Sequence, residues 1–262
     1  MPYIAKNDKR GLVKVGKKIT GAWYVFGILI VLALWQTASS LINLPIIPSP
    51  WLVILNLCTI FTEKIGIHSL YSLWRILAGL LLAVLVGIPI GYCMGYFEKC
   101  DKILSPIIYL TYPIPKIALL PVIMLLFGLG ELSKILMIFM IIVFQVIVAV
   151  RDGVKSIPNE TYYPLYSLGA SVIDIFREIL IPASLPNFLT SLRVAMATAI
   201  SVLFFTETFG TQYGMGYFIM DAWMRVNYLE MYSGIMVLSC IGLILFGTID
   251  YLERKMCYWQ YK

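Results

Sequence analysis

The sequence has few charged residues, and this shortage limits the classes of protein that it can encode. Charged side chains make up 13% of the 262 residues and hydrophobic ones 60%, against roughly 25% and 45–50% in an ordinary soluble domain. So few charges cannot cover a surface that faces water, and the excess apolar surface must face lipid. We therefore predict an integral membrane protein.

The sequence also lacks the residues on which metal sites and enzymes depend. His68 is the single histidine, and no two cysteines form a CxxC pair, which argues against a zinc or haem site. Scattered thiols, buried or facing lipid, are the simpler interpretation. No GxxxxGK(S/T) phosphate loop, GxSxG elbow or HExxH motif is present, so the chain should not hydrolyse ATP by itself. We predict no enzyme activity and no cofactor.

Long apolar runs predict six membrane spans. Each can cross about 30 Å of hydrocarbon at about 1.5 Å per residue, and backbone in lipid must be helical, so the fold should be all-α. The runs cover about 21–42, 70–97, 103–127, 132–150, 188–210 and 231–249. The first is longer than the ~7–15 residues of a signal-peptide core, although a cleaved signal ending near residues 38–40 is the alternative.

Basic residues cluster between these runs and predict the orientation of the chain. They concentrate in the N-terminal segment, after the second and fourth spans, and at the C-terminus, which six spans place on one side of the membrane. That side should be the cytoplasm, with both termini in it, and the net charge of +6 then needs no nucleic acid. We expect a basic segment (1–20), a six-helix transmembrane domain (21–255) with a cytoplasmic loop at about 152–187, and a cytoplasmic tail (256–262).

Small residues recur every four positions along the second span. Because a helix face without bulk lets another helix approach closely in lipid, we predict a helix-packing face inside the bundle. Its members are Gly79, Ala83, Gly87, Gly91 and Gly95.

The third span is rich in proline, including Pro113 and Pro115 on either side of Ile114, with Lys116 next to them. Proline kinks a helix, and broken helices are tolerated at membrane depth where they line a cavity. The segment either lines a pathway or forms a kink near the inner interface, where Lys116 would extend to the lipid headgroups.

Ionisable residues are rare in the remaining spans and are costly there. Arg193 and Glu207 lie too far apart on one helix to pair with each other, so each needs a partner on another helix or water; Arg75 and Asp250 can lie near interfaces. A role in the pathway or in gating and a structural pairing both stay open. The candidates for the pathway or its gating are Pro113, Pro115, Gln145, Arg193 and Glu207.

The loop before the fifth span reads LGAS at 168–171 and is followed by Pro182 and Pro186. This resembles the signature loop of ABC importer permeases, where a glycine follows an EAA triplet and a proline-containing return comes after it. Further segments resemble the nitrate/sulfonate/taurine branch of that superfamily, and together they cover about residue 44 to the C-terminus. In chain order they are LPIIPSP (44–50), SLWRI (72–76), YPIP (112–115), FGLGELSK (127–134), and Glu207 followed by GMGY (214–217).

The resemblance implies a type I importer permease in the cell membrane. Its expected partners are a second copy of the chain, two cytoplasmic ATPase subunits and an extracytoplasmic solute-binding protein. The solute would be a nitrate-, sulfonate- or taurine-like anion or a vitamin precursor.

The signature loop implies a short coupling helix that docks on the ATPase. Residues 163–165 read Tyr-Pro-Leu where the family usually has Glu-Ala-Ala, so the helix should be shorter or begin at Pro164. Carried over by motif, the coupling residues are Glu160, Tyr163, Leu168, Gly169, Ala170, Ser171, Pro182 and Pro186.

Three other functions are alternatives. A secondary transporter or channel not driven by ATP calls for more ionisable residues at mid-membrane or an inverted repeat. A membrane-embedded enzyme needs catalytic side chains clustered at one interface. A structural scaffold would show no ATP-linked uptake.

Overall fold

The computed structural model describes residues 21–260, and in that range every regular element is helical. The predicted N-terminal segment 1–20 lies outside the described residues. Short π or 3-10 turns link several of the helices. The α-helices are α1 Gly21–Ile42, α2 Pro50–Ile60, α3 Gly66–Tyr96, α4 Glu98–Thr111, α5 Leu120–Phe127, α6 Glu131–Lys155, α7 Tyr163–Ser167, α8 Val172–Ile175, α9 Ile181–Glu207, α10 Met215–Met224 and α11 Tyr228–Met256.

Five helical segments are long and apolar enough to cross a membrane, and a sixth span forms if one bent pair of helices is counted together. The prediction of an all-α bundle with six spans is confirmed on that count. The five are Val25–Ile42, Pro50–Tyr96, Glu131–Lys155, Val172–Glu207 and Tyr228–Met256.

The bent pair is the proline-rich third span. Its halves, Glu98–Thr111 and Lys116–Phe127, meet at 78°. Pro113 and Pro115 lie in the link and cannot donate backbone hydrogen bonds, so α4 cannot continue through it. Pro121 lies in the first turn of α5, where the missing N–H costs nothing.

Residues 43–68, which lie between the first two predicted spans, contain α2. Ser49 caps this helix by accepting a hydrogen bond from the Leu52 backbone N–H, and Pro50 occupies the first turn. A π turn, Phe61–Ile65, joins α2 to α3 in one segment of 47 residues. The Ser-Pro pair therefore marks the start of a helix.

The connection between α6 and α9 is shorter than the predicted loop at 152–187. Helix α6 continues to Lys155. After the short α7, a continuous helical segment begins at Val172 and runs to Glu207. Pro182 follows a π turn, Phe176–Leu180, and lies in the first turn of α9. Pro182 therefore does not end the helix, because the wider turn changes the hydrogen-bond register ahead of it.

The centre of the bundle is the contact between α3 and α6, which run in the same direction. A Cβ added at Gly79, Gly87, Gly91 or Gly95 would lie 2.6–2.7 Å from a side-chain atom of α6. Ala83 on the same face has no exposed surface. The partners of the four glycines are Ile138, Val146, Val150 and Val154.

Two of the five cysteines contradict the expectation of scattered thiols. Cys93 and Cys100 form a disulfide across the corner between α3 and α4, with Cα atoms 6.1 Å apart. The chain reverses at Phe97, between the two helices. The two cysteines are seven residues apart in the sequence, so the absence of a CxxC pair did not exclude this disulfide.

Candidate functional site

The two ends of the bundle are named here by α6, which begins at Glu131 and ends at Lys155. The Glu131 end contains a buried ion cluster centred on Arg75. The Arg75 guanidinium donates two hydrogen bonds to Glu131, at 2.7 and 2.5 Å, and one to Glu207 at 2.8 Å. Arg75 and Glu207 have no exposed surface. The cluster therefore joins α3, α6 and α9.

Glu207 makes further hydrogen bonds inside this cluster. It accepts from the Ser72 hydroxyl and from the Gly216 backbone N–H, each at 2.8 Å. Arg75 also donates to the Tyr213 carbonyl at 2.7 Å. All of these hydrogen bonds of Glu207 lie in the protein interior. A structural pairing, the alternative to a role in the pathway or in gating, requires this arrangement.

Sequence reasoning placed Arg75 near an interface and did not select Glu131 or Lys134. Lys134 is 1% exposed and donates to the carbonyls of Leu129 and Gly130, at 2.6 and 3.1 Å. The sequence did contain a signal, since Arg75, Glu131 and Lys134 are charged residues in apolar helices. Such charges are costly there unless they are paired.

Arg193 is held between α9 and α11. Its Nη2 atom lies 2.5 Å from Asp250 and 2.6 Å from Glu253. Arg193 and Asp250, both about one-third exposed, form an ion pair between two helices. The two charged candidates on α9, Arg193 and Glu207, thus both pair with other helices.

A cleft of about 480 Å³ opens between α6 and α9. Gln145 lines it, and the buried Oε1 atom of this side chain has no hydrogen-bond partner among the described residues. Pro113 lines a neighbouring cleft of about 530 Å³ that shares Tyr112 with the first. Neither Arg193 nor Glu207 lines either cleft. The residues around the first cleft are Tyr112, Gln145, Val148, Ala149, Asp152, Gly153, Asn187, Thr190, Ser191 and Val194.

The face of α9 that the bundle leaves uncovered is partly polar. Its polar residues are three, four or seven positions from another member of the set, so they lie on one side of the helix. Thr198 and Ser201 donate to carbonyls one turn back in α9. The polar members, exposed or half-buried, are Asn187, Thr190, Ser191, Thr198 and Ser201.

The segment between α6 and α8 lies at the Lys155 end. Helix α7 begins with Pro164 in its first turn and stops at Gly169, where φ is +70°. The Gly169 N–H donates to the Tyr166 carbonyl and the Ala170 N–H to the Leu165 carbonyl. These two bonds form a Schellman motif, and the left-handed residue in it is normally glycine.

The next helix starts two residues later. Ser171 is the N-cap of α8 and forms a capping box with Asp174. The Ser171 hydroxyl accepts a hydrogen bond from the Asp174 backbone N–H, and the Asp174 carboxylate accepts one from the Ser171 backbone N–H. Gly169 thus ends one helix, Ala170 links the two, and Ser171 begins the segment that continues to Glu207. The structure does not bring Pro182 and Pro186 to this turn, because both lie in α9.

The surface of this segment is aromatic and aliphatic. Tyr163 is 59% exposed and Leu168 81% exposed, and Tyr166 is also exposed. Tyr162 packs beneath them, and its burial raises the pKa of its hydroxyl above the ordinary value. Glu160 is exposed at the start of the segment.

A multi-span bundle with a polar cleft and a protruding helical turn is typical of a membrane transport subunit. A model of the family described as "binding-protein-dependent transport system inner membrane component" matches residues 79–258. The chain belongs to this family, the permeases of ABC importers. It is a multi-pass inner-membrane subunit, and ATP hydrolysis is carried out by separate ATPase subunits that act with a solute-binding protein. Family membership decides against a secondary transporter, a membrane enzyme or a scaffold.

Relatives that are named as transport permeases align over most of the chain. The chain is 33% identical over 239 residues to the taurine transport system permease protein TauC of Escherichia coli, covering 88% of this chain and 87% of that protein. It is 28% identical over 235 residues to the formylaminopyrimidine transport permease protein ThiX of Halalkalibacterium halodurans, covering 89% and 94%. A third relative is the putative aliphatic sulfonates transport permease protein SsuC of Bacillus subtilis, at 27% over 234 residues, covering 88% and 85%.

The fold is similar to that of solved transporter structures. An inward-facing MetNI methionine ABC transporter superposes with a TM-score of 0.61 at 17% identity, covering 72% of this chain and 94% of that one. At this identity the likeness concerns the fold alone.

Proposed function

We propose that two copies of this chain form the permease, with the solute pathway between them along α9 and the cleft lined by Gln145. The observation that carries the proposal is the uncovered polar face of α9. Hydroxyl and amide groups are costly against hydrocarbon, so this face is better placed against water or a second copy than against lipid.

Within this pathway the candidate residues divide into two groups. Gln145 lines the cleft, and Pro113 and Pro115 form the break beside it, so these three are the candidates to meet the solute. Arg193 and Glu207 hold α9 to its neighbours, at its middle and at its last residue, and orient the polar face without touching the solute. The ion pairs described above support this division.

The turn at the Lys155 end is the proposed coupling element. Its docking face is the exposed surface of Tyr163, Tyr166 and Leu168, followed by the turn at Gly169 and Ala170. Because Ser171 starts helical structure that continues to Glu207, a push on the turn moves α9 as a rigid body. This assignment places the Lys155 end and both termini in the cytoplasm.

The proposed solute is a small molecule of the nitrate/sulfonate/taurine-like or vitamin-precursor class, delivered by a binding protein outside. The relatives named for taurine, sulfonates and formylaminopyrimidine support this range. The test is uptake by proteoliposomes that contain the chain, its ATPase subunits and its binding protein, with radiolabelled taurine, ethanesulfonate and formylaminopyrimidine as probes. We expect ATP-dependent accumulation of at least one; accumulation that is equal without ATP would contradict the proposal.

The position of the second copy can be tested by cross-linking. Ser191→Cys, Thr198→Cys and Ser201→Cys, made one at a time, place thiols along the polar face of α9. We expect a covalent dimer from at least one of them under an oxidant or a short bifunctional reagent. The exposed Cys240 on α11 is the control and should give none. Cross-linking only through Cys240 would place the interface on another helix.

A further inference from the structure

Lys116 follows the break between α4 and α5 and lies beside the middle of α6. Its Nζ atom is 4.7 Å from the centre of the Phe144 ring, and Phe144 is close to the middle of α6. At about 1.5 Å per residue, Phe144 lies about 20 Å from the Glu131 end and about 17 Å from the Lys155 end. Lys116 therefore lies beside the middle of α6 and not beside either of its ends.

The Lys116 ammonium has no anionic partner among residues 21–260. Its hydrogen bonds go to the carbonyls of Thr111 and Tyr112, at 3.4 and 3.2 Å, and the Tyr112 ring lies 5.3 Å away. Arg75 and Arg193 pair with carboxylates, whereas Lys134, like Lys116, donates to backbone carbonyls. An ammonium has three donors, and the terminal carbonyls of α4 offset only part of the cost of a full charge in the membrane.

The surroundings of Lys116 suit an anion. Tyr112, which the ammonium covers, lines the 480 Å³ cleft, and Gln145 adjoins Phe144 in α6. Across the cleft, Asn187, Thr190 and Ser191 contribute further groups that can donate hydrogen bonds. The acid of the cleft, Asp152, lies toward the Lys155 end and is paired with Arg151 at 3.2 Å. A cation beside a cleft that is lined by amide and hydroxyl donors is a set that binds oxyanions.

We propose that Lys116 is an anion-binding site in the pathway, and that the transported solute carries a sulfonate, carboxylate or similar oxyanion past the break between α4 and α5. This inference rests on the proposed function and narrows it, because it selects the anionic solutes over a neutral or cationic vitamin precursor.

The test measures the electrostatic potential of the cleft, so it does not require the solute to be known. Ser191→Cys is introduced into the full transporter complex with the other accessible cysteines replaced. The thiol is then modified with a negatively charged methanethiosulfonate and, separately, with a positively charged one. The ratio of the two rates is compared with Lys116 intact, in Lys116→Gln and in Lys116→Arg.

We expect Lys116→Gln to lower the ratio of anionic to cationic modification about tenfold, since one charge acts across a short, poorly screened distance. Lys116→Arg should keep the original ratio. A Lys116 ammonium that caps α4 outside the cleft predicts no such split, because its charge would be screened from the Ser191 position. The reporter Ser156→Cys, about 18 Å from Phe144 along α6, should be insensitive to both variants.

An unchanged ratio in Lys116→Gln would overturn the inference, as would a Ser191→Cys thiol that neither reagent reaches. If the ratio changes but proteoliposomes show no ATP-dependent uptake, the charge of the cleft stands and the proposed function fails. If uptake is ATP-dependent but the ratio does not change, the permease function stands and the anion site fails.

Discussion

The Arg75 guanidinium lies 2.8 Å from the Glu207 carboxylate, and neither side chain has exposed surface. Arg75 is also paired with Glu131, so the three helices that carry these residues meet at one cation. Removing one partner of a buried ion pair leaves the other charge uncompensated, which is more costly than losing the attraction alone. The cluster is therefore asymmetric, because Arg75 has two carboxylate partners and Glu207 has one cation.

We predict that Arg75→Ala destabilises the protein more than Glu207→Ala. The first variant leaves the fully buried Glu207 carboxylate without a cation and also removes the partner of the partly exposed Glu131, so it should cost about 3–5 kcal/mol. The second variant leaves Arg75 bound to Glu131. Thermal unfolding of the detergent-solubilised complex measures the difference. Equal loss in the two variants, or a greater loss in Glu207→Ala, would show that the cluster is not centred on Arg75.

We predict that Gly91→Ala disrupts packing between α3 and α6. A Cβ at this position would lie 2.7 Å from the Val150 Cβ and 2.9 Å from the Ile147 carbonyl oxygen, and the backbone atom cannot move aside. The expected result is a large loss of assembled complex on size-exclusion chromatography. Gly247→Ala on α11 is the matched control, because nothing lies within 4 Å of the added methyl group and alanine favours a helix.

A companion variant separates side-chain from backbone crowding. At Gly79 the two nearest atoms belong to the Ile138 side chain, at 2.6 and 2.7 Å, and the backbone oxygen of Ile135 is farther away at 3.2 Å. Ile138→Ala should therefore restore part of the assembly lost in Gly79→Ala, while Val150→Ala should restore less of that lost in Gly91→Ala. The same degree of rescue at both sites would contradict this account.

The small-residue face was predictable from the sequence because its spacing repeats the helical period and needs no knowledge of tertiary contacts. The burial of Arg75 was not predictable in this way, since it depends on Glu131 and Glu207 arriving from two other helices. The position of Lys116 beside Phe144 depends on the 78° bend between α4 and α5. Proline signals that a helix is interrupted, but it does not give the angle or the neighbour that the next residue meets.

We predict that the backbone conformation of Gly169, and not the space around it, is what the coupling turn requires. Its φ is +70°, and a Cβ there would meet nothing within 4 Å. Asparagine tolerates this left-handed conformation and β-branched valine does not. Gly169→Asn should keep most solute uptake per ATP hydrolysed in proteoliposomes, whereas Gly169→Val should lower it several-fold while the chain still inserts. Equal uptake by the two variants would remove the role assigned to the turn.

The orientation of the chain can be tested by labelling at opposite ends of the bundle. Ser171→Cys places a thiol in the proposed coupling turn, and Leu44→Cys places one in the exposed link between α1 and α2. In intact cells a membrane-impermeant maleimide should label Leu44→Cys alone, because the basic residues at the Lys155 end predict that this end faces the cytoplasm. In inverted membrane vesicles only Ser171→Cys should react. Labelling of Ser171→Cys in intact cells would reverse the topology and remove the ATPase from the surface formed by Tyr163, Tyr166 and Leu168.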